Sequence, residues 1–94
     1  MLTSIDKNTM KAKWIEFRWL RNSESGKTQV WEIVNTNENL LLGYVEWFGR
    51  WRKYAYRPLS FTYYEQDCLR DIAEFIELQT TMHRSAKNLV QRNQ

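Results

Sequence analysis

The residues best suited to chemistry lie between Leu42 and Pro58, in the segment LGYVEWFGRWRKYAYRP. Aromatic and basic side chains are interleaved there around the pair Gly49-Arg50. Arg and Lys bind phosphates or carboxylates, whereas Trp and Tyr stack on bases or fill pockets of a protein partner. This segment therefore favours recognition, and the candidate binding residues are Trp47, Arg50, Trp51, Arg52, Lys53, Tyr54, Tyr56 and Arg57.

Catalytic signals are weak by comparison. The chain has one histidine, His83, and one cysteine, Cys68, too few for a Cys/His zinc site. Cys68 falls on the apolar side of a predicted helix, where a free cysteine is typically a core residue. The three glycines do not form a phosphate-binding loop. We therefore expect a protein without enzymatic activity, cofactor or metal.

Four predicted strands would position the aromatic segment. They alternate apolar and polar residues, or are rich in β-branched residues, over Lys13–Leu20, Thr28–Asn35, Leu40–Phe48 and Trp51–Tyr56. Gly43 lies inside the third strand and indicates a bulge or a close backbone approach. Gly49 is assigned to the tight turn between the third and fourth strands. Pro58 ends the fourth strand because it has no N–H for the ladder.

A helix is predicted from about Tyr64 to about Thr80. Thr62 and Glu65 match the S/T-x-x-E capping box that satisfies free N–H groups at a helix start. The apolar positions at spacings of three and four are Cys68, Leu69, Ile72, Phe75 and Ile76, and the acids predicted for the solvated side are Asp67, Asp71 and Glu74.

The length of 94 residues favours a single domain. Residues 1–12 are predicted to be irregular, residues 13–80 to form one α+β domain, and residues 81–94 to be a basic C-terminal tail or an extension of the helix. The predicted fold is a four-stranded antiparallel β-meander with the C-terminal helix packed on one face. An unpaired edge strand would allow a homodimer.

Composition bears on where the protein works. The net charge is only +3, and no apolar run reaches the roughly 18 residues that span a bilayer. The N-terminal residues lack the apolar core of a signal peptide, and a single cysteine allows no internal disulfide. We expect a cytoplasmic protein that does not associate with membranes.

Two patterns resemble a group of small proteins from bacteriophage and prophage genomes. The first is LG-x-V-x-WFG-x-WR-x-Y-x-Y-x-P from Leu42 to Pro58, and the second is CL-x-DI-x-x-FI from Cys68 to Ile76. The resemblance covers about residues 13–78. It implies a phage setting with synthesis in the host cytoplasm, and it implies no reaction or site. Arg52 and Tyr54 are the hardest matching residues to explain by packing, so they are the leading surface candidates.

Three functional hypotheses follow. The favoured one is a phage accessory protein that binds a host protein, which could belong to anti-phage defence, and blocks or modulates it. The second is a nucleic-acid-binding protein that uses the basic aromatic hairpin. The third is a small-ligand protein that holds a nucleotide in a pocket between sheet and helix. Salt dependence, nuclease treatment and thermal shifts with nucleotides would separate them.

Overall fold

A computed structural model describes residues 2–92 and shows an antiparallel sheet followed by one long helix. The elements are β1 (Thr3–Asp6), β2 (Thr9–Lys11), β3 (Ile15–Asn22), β4 (Gln29–Asn35), β5 (Leu40–Phe48), β6 (Lys53–Pro58) and α1 (Gln66–Arg92). The six strands are arranged in chain order, and each pairs antiparallel with the next. The predicted α+β class and meander are confirmed.

The prediction of four strands is wrong in number. The segment expected to be irregular forms a hairpin of β1 and β2, and β2 continues the sheet by pairing Met10 with Phe17. The Asp6 carboxylate accepts the Asn8 N–H at 2.7 Å and closes the turn of this hairpin. Strands of four and three residues are too short to show a clear alternation. The turn and the pairing with β3 therefore hold this segment in the sheet.

The core lies between α1 and one face of the sheet. Phe17 of β3 and Phe75 of α1 are both fully buried, with their rings stacked at 4.1 Å. Trp31 of β4 meets the Phe75 ring edge-on at 5.1 Å. These aromatic contacts join the helix to the central strands. Each buried ring removes a large apolar area from water, so a few rings stabilise a small core. The predicted packing of the helix on one sheet face agrees with this arrangement.

The start of α1 differs from the predicted capping box. The helix begins at Gln66, and the Glu65 carboxylate accepts the Cys68 N–H at 2.7 Å. This bond favours the charged carboxylate and lowers the pKa of Glu65. The Thr62 hydroxyl instead donates to the Leu59 carbonyl at 2.9 Å, so the cap predicted for Thr62 is wrong. Glu65 therefore takes the capping role that the sequence pattern assigns to the threonine.

The buried side of α1 is also rotated from the predicted one. Leu69, predicted to face the core, is 54% exposed, whereas Asp71, predicted to face solvent, is 5% exposed. The buried positions Ile72, Phe75 and Gln79 explain the difference. At 100° per residue, the centre of their face lies closer to Asp71 than to Leu69.

The helix extends beyond the predicted end at Thr80 to Arg92, so residues 81–92 are a helix extension. Residues 93 and 94 of the predicted basic tail lie outside the described residues. No helix in the described part of the chain is long and apolar enough to cross a bilayer.

The outer edge of β6 is partly covered by α1. The Tyr54 N–H donates to the Thr80 hydroxyl at 3.1 Å, and the Arg84 guanidinium donates to the Arg52 carbonyl at 3.2 Å. Backbone groups alternate along a strand, so the nitrogen of Pro58, like that of Tyr54, points away from β5. Pro58 has no N–H there with which to pair another strand. These contacts oppose pairing through β6, whereas all four residues of the other edge strand, β1, are exposed.

Candidate functional site

The turn between β5 and β6 is formed by residues 49–52, so the predicted strand starting at Trp51 begins two residues later, at Lys53. The Phe48 carbonyl accepts the N–H groups of Trp51 at 3.1 Å and Arg52 at 3.0 Å. Arg52 has a φ of 55°, in the left-handed region, and Gly49 has no positive φ. The prediction that Gly49 lies in the turn between these strands is confirmed, and the left-handed residue of that turn is Arg52.

Aromatic and cationic side chains meet at this turn. Trp51 is 64% exposed, and its ring meets the half-exposed Phe48 ring edge-on at 4.7 Å. The Arg50 guanidinium lies 6.0 Å from the Phe48 ring, at the outer limit of a cation–π contact. We call Phe48, Arg50, Trp51 and Arg52 the hairpin tip. Because Arg84 of α1 binds the Arg52 carbonyl, the helix anchors the backbone of the tip.

The eight predicted binding residues do not form one surface. Arg50, Trp51 and Arg52 lie together at the hairpin tip, and Lys53 is exposed at the start of β6. Cross-strand pairing places Trp47 opposite Tyr54 on the helix side and places Lys53 opposite Phe48 on the outer side. Successive side chains of a strand point to opposite faces, so the predicted residues on β5 and β6 are divided between the two sides of the sheet.

Tyr54 is a core residue, and the expectation that it lies on the surface is wrong. It is 5% exposed, and its ring meets the Trp47 ring edge-on at 5.5 Å. Its hydroxyl accepts the Gln29 N–H at 3.1 Å, and burial raises its pKa. A tyrosine with its polar end satisfied in this way stabilises the packing of the sheet.

Tyr56 also has a structural role. Its hydroxyl shares a hydrogen bond with that of Tyr64, which in turn donates to the Leu42 carbonyl at 3.0 Å. Burial, followed by the bond to Tyr64, raises the pKa of Tyr56. This network fixes the linker between β6 and α1 to the beginning of β5, and it leaves Tyr56 half-buried.

Arg57 lies on the outer face of the sheet and is already paired. Its Nε donates to Glu46 at 2.8 Å, and its guanidinium lies 4.8 Å from the Tyr44 ring. Arg18 is paired in the same way with Glu16 at 3.0 Å on the same face. Cations on the outer face are thus partly neutralised, in contrast to those of the hairpin tip.

The strained turn residue gives a stability prediction. A left-handed φ costs a residue with a Cβ about 1–2 kcal/mol, and glycine avoids that cost at some loss of chain entropy. We expect Arg52→Gly to raise the free energy of unfolding by about 0.5–1 kcal/mol, measured by urea denaturation. Arg50→Gly, at a position without positive φ, is the control and is expected to be neutral or destabilising. A larger loss of stability in Arg52→Gly than in Arg50→Gly would contradict this reading of the turn.

A second aromatic surface was missed by sequence reasoning. Phe61 is 97% exposed with a φ of 60°, and Tyr63 is 92% exposed. Both lie in the linker between β6 and α1, at the opposite end of β6 from the hairpin tip. The signal in the sequence was a pair of aromatics after Pro58, outside any alternating or helical pattern. Their rings are almost fully in solvent, so they are held less firmly than Trp51.

The described residues contain no group of three or more His, Cys, Asp or Glu placed to hold a metal ion. Burial raises the pKa of the Cys68 thiol, which favours its neutral form. Cys68 and His83 are fifteen positions apart on α1, or about 22 Å along its axis. His83 instead lies against Trp47, with ring centroids 4.6 Å apart.

Comparison with known proteins gives a phage relative. The chain is 29% identical over 70 residues to a protein of Acholeplasma phage L2 named "Uncharacterized 9.3 kDa protein", and the match covers 74% of this chain and 85% of the phage protein. No family model and no solved structure matches the chain. The similarity is consistent with a phage protein and brings no activity, partner or site with it.

Proposed function

We propose that this chain is a phage accessory protein that works in the host cytoplasm without catalysis. It binds a host protein through the hairpin tip and blocks or modulates that protein, and a component of anti-phage defence is one such target. The observation that carries the proposal is the exposed Trp51 ring, set edge-on against Phe48 with Arg50 and Arg52 beside it. The phage relative supports the setting.

The hairpin tip has the composition of a binding hot spot. Trp and Arg are enriched among the residues that dominate protein interfaces. Burying the exposed part of Trp51 would remove on the order of 130 Å² from water, worth about 3 kcal/mol before the costs of association. The anchoring of Arg52 by Arg84 lowers the entropy lost when a partner orders the turn.

Charge indicates the chemistry of the partner. Among the described residues, no carboxylate lies within ion-pair distance of Arg50 or Arg52. Both side chains are therefore available to acidic groups on another molecule. The partner surface should combine an apolar pocket for Trp51 with acidic residues around it.

The outer sheet face supports a protein partner over a nucleic acid. A strand of nucleic acid following the basic hairpin would cross the face that carries Glu16, Glu32 and Glu46. Arg18 and Arg57 on that face are paired with two of these carboxylates. These pairs leave Arg18 and Arg57 less available to phosphates, whose binding depends on unpaired Lys and Arg.

The proposal is tested by capturing the partner from a lysate of the bacterial host treated with nuclease. The captured protein is then purified and titrated with wild-type chain and with Arg50→Gln/Trp51→Ala. We expect this variant to bind about 30-fold or more weakly, because it removes the aromatic anchor and one cation. The variant should keep the wild-type melting temperature, since both side chains lie on the surface.

Lys13→Gln/Trp14→Ala is the matched control. Trp14 is 40% exposed and has the Lys13 ammonium 5.1 Å from its ring, but it lies at the opposite end of the sheet. This variant should bind like the wild type. Equal weakening in both variants, or loss of every captured protein after nuclease treatment, would overturn the proposal.

A further inference from the structure

A cavity of about 600 Å³ lies between the β3–β4 turn, the end of β5 and the C-terminal half of α1. Lys27 lines it from the turn, Trp47 from β5, and His83 and Lys87 from the helix. A second cavity of about 200 Å³ shares Lys27 and His83 and extends toward Tyr54. The larger volume is typical of sites for small molecules, and the hairpin tip contributes no residue to it.

The wall formed by Trp47 is aromatic and firmly held. The Tyr54 ring meets it edge-on at 5.5 Å, and the His83 ring lies tilted against it at 4.6 Å. The Ala86 methyl group adds a further apolar patch to the lining. A flat ring entering the cavity would meet a fixed surface, which is how proteins stack nucleobases.

The rim of the cavity is cationic. Lys27 and Lys87 are exposed and approach from the turn and the helix, and none of the described residues lining either cavity is acidic. By contrast, a third cavity beside Lys13 contains three carboxylates. The absence of acids from the rim makes the first cavity suited to an anion.

The turn that carries Lys27 is preorganised. The Ser23 hydroxyl is hydrogen-bonded to the Thr28 hydroxyl at 2.8 Å, and the Gly26 N–H donates to the Ser23 carbonyl at 2.9 Å. Gly26 has a φ of 75°, and the Lys27 N–H donates to the Ser25 hydroxyl oxygen at 3.2 Å. The backbone at Lys27 is thus fixed before any ligand arrives, which lowers the entropic cost of binding.

We propose that this cavity binds a nucleoside phosphate, with the base against Trp47 and the phosphate between Lys27 and Lys87. The inference is independent of the proposed host-protein function. A free mononucleotide and the terminal nucleotide of a strand present the same chemistry, and both are included in the test.

The test is a titration followed by two-dimensional NMR, using the four ribonucleoside monophosphates, adenosine, inorganic phosphate and a 5′-phosphorylated trinucleotide. We expect at least one monophosphate to shift the Trp47 indole N–H and the backbone N–H groups of residues 25–28. Adenosine and phosphate alone should each bind about tenfold more weakly, since each keeps only one half of the contacts. Tighter binding of the trinucleotide would assign the site to strand ends, and weaker binding would assign it to free nucleotides.

Lys27→Gln/Lys87→Gln should lower nucleotide affinity about 10- to 100-fold, since it removes both cations from the rim. Arg50→Gln/Arg52→Gln removes the same charge at the hairpin tip and should leave that affinity unchanged. Equal loss in the two variants, or no loss in the lysine variant, would overturn the proposed site, as would the absence of any nucleotide-dependent shift. The lysine variant should still bind the host partner, so the two proposals can fail separately.

Discussion

Replacing Phe75 with Ala is expected to lower the free energy of unfolding by about 3–5 kcal/mol, the largest stability effect we predict. The ring is fully buried, stacked on Phe17 at 4.1 Å and in edge contact with Trp31 at 5.1 Å. Its removal leaves a cavity between helix and sheet that the surrounding rings cannot fill. A domain of this size has a total stability of about 5–15 kcal/mol, so the variant should be largely unfolded or marginal. Urea and thermal denaturation followed by circular dichroism measure the change.

Leu69→Ala is the matched control on the same helix. Leu69 is 54% exposed, so its truncation should change the free energy of unfolding by about 0.5 kcal/mol or less. The apolar spacing in the sequence assigns Leu69 and Phe75 to the same face and predicts similar losses. Similar melting temperatures for the two variants would contradict the orientation of α1 described above.

Replacing Gly43 with Ala is expected to cost about 2–3 kcal/mol. A Cβ at this position would lie 2.5 Å from the Arg57 carbonyl oxygen and 2.9 Å from the Pro58 Cα, so the backbone of β6 would have to move away from β5. The close backbone approach predicted from the sequence for Gly43 is therefore confirmed. Chemical denaturation of the purified variant measures the loss.

Gly49→Ala supplies the comparison within the same hairpin. A Cβ at Gly49 would meet no atom within 4 Å, and the position has no positive φ. Its substitution should leave stability unchanged within about 0.5 kcal/mol. A larger loss at Gly49 than at Gly43 would show that the turn, and not the approach of β5 to β6, requires glycine.

The alternation of apolar and polar residues was sufficient to predict the central strands. Ile15 and Phe17 repeat with period two and are buried, and the run from Leu40 to Phe48 is the strand β5 with the predicted bounds. The short hairpin β1–β2 could not be predicted in this way. Its place in the sheet depends on the turn at Asp6 and on pairing with β3, which are contacts between distant or weakly patterned residues.

The candidate site was predicted only in part, because the sequence does not show which sheet face the helix covers. Alternation groups Tyr54 with one face and Lys53 with the other, but only the contact of Thr80 and Phe75 with the sheet identifies the covered side. Tyr54 was therefore expected at the surface and lies in the core. Trp51 is exposed whichever face the helix covers, because it lies in the turn, beyond the last pair of residues in the β5–β6 ladder.

The left-handed conformation of Arg52 is another feature that sequence reasoning could not supply. A Gly in a four-residue turn is the usual candidate for positive φ, and Gly49 is the glycine of this turn. The two N–H groups accepted by the Phe48 carbonyl, together with the contact of Arg84 with the Arg52 carbonyl, place the left-handed residue at the end of the turn instead. Such positions in non-glycine residues are uncommon and often mark functional surfaces.

The central claim, that the hairpin tip binds a host protein, is tested most directly by photocrosslinking in infected cells. A benzophenone amino acid is placed at position 51, and in a second version at position 14, where another exposed tryptophan lies at the far end of the sheet. We expect position 51 to give one discrete crosslinked host protein and position 14 to give none. Crosslinks from position 14 alone, or adducts at position 51 that consist of nucleic acid, would contradict the claim.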